Sequence, residues 1–122
     1  VKPVHFLVVD DSNLDRHFLV SLLESLGHQV DACENSIGLV EKVQAGGYHS
    51  VFLDIVMPGQ DDGYKLLRKL RANPMTAHQH IIFYSSKSSP LEVSYGMKRA
   101  GADDYLTKPV TLEQLAAALQ KV

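Results

Sequence analysis

Long apolar runs, a basic surplus and paired cysteines are all missing from this 122-residue chain, and each absence excludes a class of protein. No run approaches the roughly 20 apolar residues of a membrane span, and no signal-like segment opens the sequence. Membrane insertion is therefore not expected, and a reducing, cytoplasmic compartment is the default. Twelve Lys and Arg against 14 Asp and Glu leave a formal charge of −2, which argues against a whole-domain grip on nucleic acid or anionic membrane. The single Cys33 excludes an internal disulfide, and no CxxC or other zinc spacing is present. Repeats and low-complexity stretches are also lacking. What remains is a globular balance, 45% hydrophobic and 21% charged, sized for one domain over 1–122. The sequence begins at Val1 rather than Met, as expected of a trimmed chain or a piece of a longer protein.

Strand and helix signals alternate about five times. Val4 to Val9 is a short apolar run, the form taken by a strand buried on both faces of a parallel sheet. Leu14, Phe18, Leu22 and Leu19, Leu23, Leu26 then recur at helical spacing until Gly27. The pattern predicts strands over His28–Cys33, Tyr48–Leu53, His80–Tyr84 and Asp104–Thr107. It predicts helices over Ile37–Ala45, from about Gly63 to Ala72, from Pro90 to about Ala100, and from Leu112 to the end. Ser89-Pro90-Leu91-Glu92 and Thr111-x-x-Gln114 carry capping boxes. Such alternation implies right-handed crossovers and a parallel sheet covered on both sides, with ligands at the carboxyl ends of the strands.

Those ends carry Asp10 and Asp11, Asp54, Ser85 and Ser86, and Lys108-Pro109. Crowded carboxylates repel, and desolvation raises their pKa values further unless a cation intervenes. Mg²⁺ is the simplest such cation, because it takes oxygen ligands from one or two carboxylates and from phosphate. A lone acidic pair would more often be a helix cap. Three acids, a hydroxyl and an ammonium, each ending a strand of one sheet, favour function.

Asp10-Asp11, Asp54-Ile55-Val56-Met57-Pro58-Gly59, Ser85-Ser86 and the run Gly101 to Pro109 resemble, in order and spacing, the receiver domain of two-component response regulators. The resemblance is of the chemotaxis-regulator type and spans essentially the whole chain. It implies an α/β flavodoxin-like fold with five helices and strand order 2-1-3-4-5. It further implies a signalling switch, not an enzyme with a turned-over substrate, that accepts a phosphoryl group from a histidine kinase or histidine phosphotransfer protein. By this resemblance Asp54 is the phosphoacceptor, and Asp10, Asp11, Asp54 and the Val56 backbone carbonyl hold Mg²⁺. Ser85 and Lys108 each meet a phosphoryl oxygen. Ser85 and Tyr105 form the switch that reshapes the surface of helix four, strand five and helix five for a downstream effector protein. Val56 and Lys87, each two residues beyond an active residue, are expected to tune dephosphorylation. The Lys108-Pro109 bond is expected to be cis.

The chain departs from the family at one point. Gly63 lies nine residues after Asp54 rather than eight, so Gln60-Asp61-Asp62 carries an extra residue. Lys65, Arg68 and Lys69, with Arg71 close by, are expected on a solvated face. His5, His49, His78 and His80 are expected at scattered strand-end or loop positions. Cys33 is expected as a small buried hydrophobe, and Phe83 and Tyr84 as sheet packing. A Mg²⁺-dependent phosphohydrolase would show a DxD arrangement after strand one, and a flavin- or nucleotide-binding protein a Gly- or Ser/Thr-rich loop there. Asp10-Asp11-Ser12 matches neither.

Overall fold

In the computed structural model, which describes residues 4–57 and 62–121, five strands form one parallel sheet in the order β2-β1-β3-β4-β5. These are β1 (His5–Val9), β2 (Gln29–Cys33), β3 (Ser50–Leu53), β4 (Ile81–Ser85) and β5 (Asp104–Thr107). The helices between and after them are α1 (Asn13–Ser25), α2 (Leu39–Gly46), α3 (Gly63–Ala72), α4 (Pro90–Ser94) and α5 (Leu112–Gln120). The expected doubly wound fold is present. No helix among the described residues is long and apolar enough to cross a membrane.

Alternation along the strands divides the core in two. Leu7, Val9, Val51, Leu53, Ile81 and Phe83 point to one face, where Leu39 and Val43 of α2 and Leu66, Leu67 and Leu70 of α3 cover them. Phe6, Val8, Phe52, Ile82 and Tyr84 point to the other, against Leu19 and Leu23 of α1 and Leu115 of α5. Phe83 and Tyr84 are thus packing residues, as expected. Cys33 is only half-buried, because β2 is an edge strand, and burial pushes its thiol pKa up.

Two helices depart from the sequence pattern. α2 starts at Leu39 rather than Ile37, because Gly38 takes a left-handed φ of 68° and leaves Ile37 exposed. The helix predicted to run from Pro90 to about Ala100 is α-helical only to Ser94. It then widens into a π turn over Tyr95–Arg99, in which the Ala100 N–H reaches back five residues to the Tyr95 carbonyl at 2.9 Å. The widened turn sets Gly96 against β5, where a Cβ would stand 2.9 Å from the Tyr105 ring and 3.2 Å from Phe83. Strand limits move by a residue or two at β1, β2 and β4. β3 begins at Ser50, since Tyr48 turns inward to give its hydroxyl to Asp31 at 2.6 Å.

Arg71 is not a solvated cation. Its guanidinium donates to the carbonyls of Ala77, Gln79 and Gly101 and to Asp103 Oδ2 at 2.6–3.1 Å, clamping the α3–β4 connection to the end of the π turn. His5, His49 and His80 sit at or just before strand starts and His78 in the α3–β4 connection: His5 Nε2 lies 3.1 Å from Asp31, and His80 Nδ1 lies 2.9 Å from the buried Ser50 hydroxyl.

Candidate functional site

The carboxyl ends of β1, β3, β4 and β5 adjoin along one edge of the sheet. The parallel ladder continues just past the strands, with Asp10 N–H donating to Cys33 O at 3.1 Å and Asp54 N–H to Val9 O at 3.0 Å. Two acids are thereby fixed side by side at the sheet edge, both buried, with Asp11 exposed beside them. One carboxylate oxygen from each of Asp10, Asp11 and Asp54 lies within 4.8 Å of the others.

Lys108 enters from the end of β5. Its ammonium stands 2.8 Å from Asp10 Oδ2, 3.0 Å from Asp15 Oδ2 and 3.4 Å from Asp54 Oδ2. Burial and the neighbouring Asp10 charge push the Asp54 carboxyl up to about 7, against the opposing pull of Lys108. For Lys108 burial pulls down, but the adjoining Asp10 and Asp15 carboxylates and the Asp54 charge outweigh it, and the net shift is upward. Three clustered acids thus meet the Lys108 ammonium at this edge.

The donor set suits a divalent cation that prefers oxygen. Asp10 Oδ1 accepts from the Ser12 N–H at 2.9 Å. Asp10 Oδ2 is buried and, although Lys108 is close, no donor meets it with hydrogen-bond geometry. A buried carboxylate oxygen without an aligned donor, inside a cluster of three acids, fits Mg²⁺.

Ser85 is fully buried at the end of β4, and its Oγ accepts from the Lys87 N–H at 3.2 Å. Lys87 reaches Glu92 at 3.6 Å, and with Ile55, Val56, Met57, Asp62 and Tyr64 it lines a cavity of about 350 Å³ beside the acids. Val56 and Lys87, expected to flank the phosphorus, therefore share one cavity wall. The Tyr105 ring is half-buried against Phe83 and Gly96, and its hydroxyl donates to the Lys87 carbonyl at 2.6 Å. Lys108-Pro109 is cis, as expected.

α3 is fastened to the same strand end. The Gly63 N–H donates to the Ile55 carbonyl at 2.8 Å, and a Cβ at Gly63 would collide with the Asp54 carbonyl oxygen and come within 2.7 Å of Ile55 Cα. Asp62 caps α3 by accepting from Lys65 N–H. Pro58, Gly59, Gln60 and Asp61 lie outside the described residues, so the effect of the extra residue is placed only at its two ends.

The family model for the response regulator receiver domain matches residues 6–120. The chain belongs to this family. Among curated relatives, this receiver domain is 37% identical to protein PilH of Pseudomonas aeruginosa over 95% of this chain and 94% of PilH. It is 35% identical to a gliding motility regulatory protein of Myxococcus xanthus over 99% of this chain, but spans only 15% of that protein. Among solved structures, the chemotaxis protein CheY4 of Vibrio cholerae superposes with a TM-score of 0.86 at 26% identity, covering 99% of each chain. The receiver domain of the sensor histidine kinase PA1611 of Pseudomonas aeruginosa, solved with magnesium in its active-site cleft, gives 0.85 at 26% identity, covering 98% of this chain and 97% of that one.

Membership brings a signalling role as phosphoacceptor and an acidic cluster able to bind metal. The sequence had not pointed to three residues around the site. Asp15 and Arg16 lie in the first turn of α1, where Asp15 meets Lys108 and Arg16 Nη1 donates to the Asp10 carbonyl at 2.8 Å. Tyr64 packs edge-on to both Phe83 and Tyr95, at 5.6 and 5.0 Å between ring centres. Only a contact map across 93 residues would have revealed the Asp15 pair.

Proposed function

We propose that this chain is a phosphorylation-controlled switch that accepts a phosphoryl group on Asp54 and works by protein–protein binding. The observation that carries this reading is the buried Asp54 carboxylate grouped within 4.8 Å of Asp10 and Asp11 and 3.4 Å from Lys108. Phosphoryl transfer asks little covalent chemistry of the protein, so positioning and charge neutralisation dominate. Asp54 is the in-line nucleophile, and Asp10, Asp11, Asp54 and the Val56 carbonyl are the proposed holders of Mg²⁺. When bound, that ion supplies neutralisation of the clustered negative charge. Ser85 and Lys108 each donate to a phosphoryl oxygen, and Val56 and Lys87 control the access of water. The domain thus assists its own phosphorylation and dephosphorylation without being an enzyme in the turnover sense.

The donor is a histidine kinase or histidine phosphotransfer protein, and the recipient of the signal is a downstream effector protein, not nucleic acid. A phosphoryl group adds about −1.5 to −2 charges and new acceptor oxygens, which bias Ser85 and Tyr105 between two arrangements. The face of α4, β5 and α5 carries that change outward. A cavity of about 310 Å³ bordered by Val93, Tyr105, Thr107 and Gln114 supports partner binding there. The likeness to the gliding motility regulatory protein and to the chemotaxis protein CheY4 supports a regulator of the motility or chemotaxis kind acting in the cytoplasm, with 1–122 as one receiver domain.

Incubation with acetyl phosphate and Mg²⁺, followed by intact mass, tests the reading. One adduct of about 80 Da, the mass of a single phosphoryl group, should appear and be lost in Asp54→Ala. No adduct on the parent protein would turn the interpretation toward a phosphorylation-independent interaction module.

A further inference from the structure

We propose that Asp15 is the positioning residue for Lys108. It is an acceptor outside the acidic trio that keeps the ammonium at the site when Asp10 and Asp54 serve as metal ligands. The inference rests on the phosphoacceptor reading above and adds a residue to it.

The ammonium has three donors and three carboxylates in reach: Asp10 at 2.8 Å, Asp15 at 3.0 Å and Asp54 at 3.4 Å. Two of these acceptors belong to the acidic trio. Once they ligate a divalent cation their lone pairs are committed, and the ion's charge repels the ammonium. Asp15 is not part of the trio, and it is the carboxylate that keeps its bond to Lys108. Without it, Lys108 either competes with the cation for Asp10 and Asp54 or swings into water. In both cases the group proposed to meet the phosphoryl oxygen is lost from its place. The Tyr84 ring, whose centre lies 5.4 Å from Nζ, restrains the ammonium on another side but offers no lone pair.

The first turn of α1 brings Asp15 to this spot by bonds that begin at Asp10 itself. Asp10 Oδ1 accepts from Ser12 N–H, Ser12 Oγ accepts from Asp15 N–H at 3.2 Å, and Arg16 donates to the Asp10 carbonyl. The residue that gives up the ammonium therefore also anchors the residue that receives it. An acid in a first helical turn also suits the helix dipole. That role alone would not require a bond to a lysine 93 positions away.

The test is a Mg²⁺ titration by calorimetry on five chains: parent, Asp15→Asn, Asp15→Glu, Lys108→Met and the Asp15→Asn/Lys108→Met double variant. Asp15→Asn should weaken Mg²⁺ binding about threefold, the scale of a partly exposed ion pair, when Lys108 is present. It should have little effect when Lys108 is Met, and Asp15→Glu should restore most of the loss. As a second readout, the Lys108 ammonium should give a slowly exchanging nitrogen-15 NMR signal in the Mg²⁺-loaded parent and lose it in Asp15→Asn. Equal weakening with and without Lys108 would reduce Asp15 to a distant charge and overturn the proposal, as would an unchanged ammonium signal. A parent that neither binds Mg²⁺ nor gains a phosphoryl group would instead overturn the phosphoacceptor reading, and this inference with it.

Discussion

The Tyr105 hydroxyl donates to the Lys87 carbonyl at 2.6 Å, so β5 is tied to the connection that follows β4. The same Lys87 gives its N–H to Ser85 Oγ. One peptide segment thus joins the buried hydroxyl to the aromatic ring. Tyr105→Phe keeps the ring and leaves the carbonyl without this donor. We expect a loss of about 1 kcal/mol in urea unfolding, with faster amide exchange at Lys87.

Gly96 is the counterpart on the π turn. In Gly96→Ala the new methyl would stand 2.9 Å from a ring held by its hydroxyl and by Phe83, so the ring or the turn must move. The expected cost is about 1–3 kcal/mol by chemical denaturation. In a Tyr105→Ala background most of that cost should vanish, and equal costs in the two backgrounds would show that the ring is not the obstacle.

Asp54 gives a pH dependence of definite sign. Its pKa in the folded chain is about 7 against 3.8 for the free group, so the folded state binds the proton more tightly between those values. The stability this contributes is full below about pH 4 and is lost as pH rises through about 7. In EDTA, Asp54→Asn should therefore be more stable than the parent in urea unfolding at pH 8, by about 2 kcal/mol, and the gap should narrow toward pH 5. Mg²⁺ at pH 8 should raise the parent's Tm and leave that of the Asn variant nearly unchanged.

Arg71 makes four bonds from two guanidinium nitrogens to three carbonyls and one carboxylate. A lysine at this position cannot span them. Arg71→Lys should cost about 1–3 kcal/mol in urea unfolding while leaving phosphoryl uptake from acetyl phosphate intact.

The sheet and the acids were legible because β1, β3 and β4 are short, mainly apolar runs that stop at a charged or hydroxyl residue. In a parallel sheet all those stops fall on one edge. Val9 before Asp10 and Leu53 before Asp54 are sufficient to bring two carboxylates together. The π turn was not legible, because Tyr95 to Arg99 carries helix formers around one glycine, and the widened turn answers to Tyr105 on another strand. Arg71 looked like surface charge because nothing local marks the carbonyls it gathers from two segments. Gly38 was hidden for the opposite reason. Its left-handed φ is a local matter, but the apolar spacing of Ile37 and Val40 ran through it.

The clasp between Gly63 and Ile55 bears on how this loop tolerates change. With the helix start bonded to Ile55 and pressed on the Asp54 backbone, α3 and the end of β3 hold each other directly, whatever the length of sequence that joins them. Changes in the length of that sequence are therefore expected to leave the acid in register.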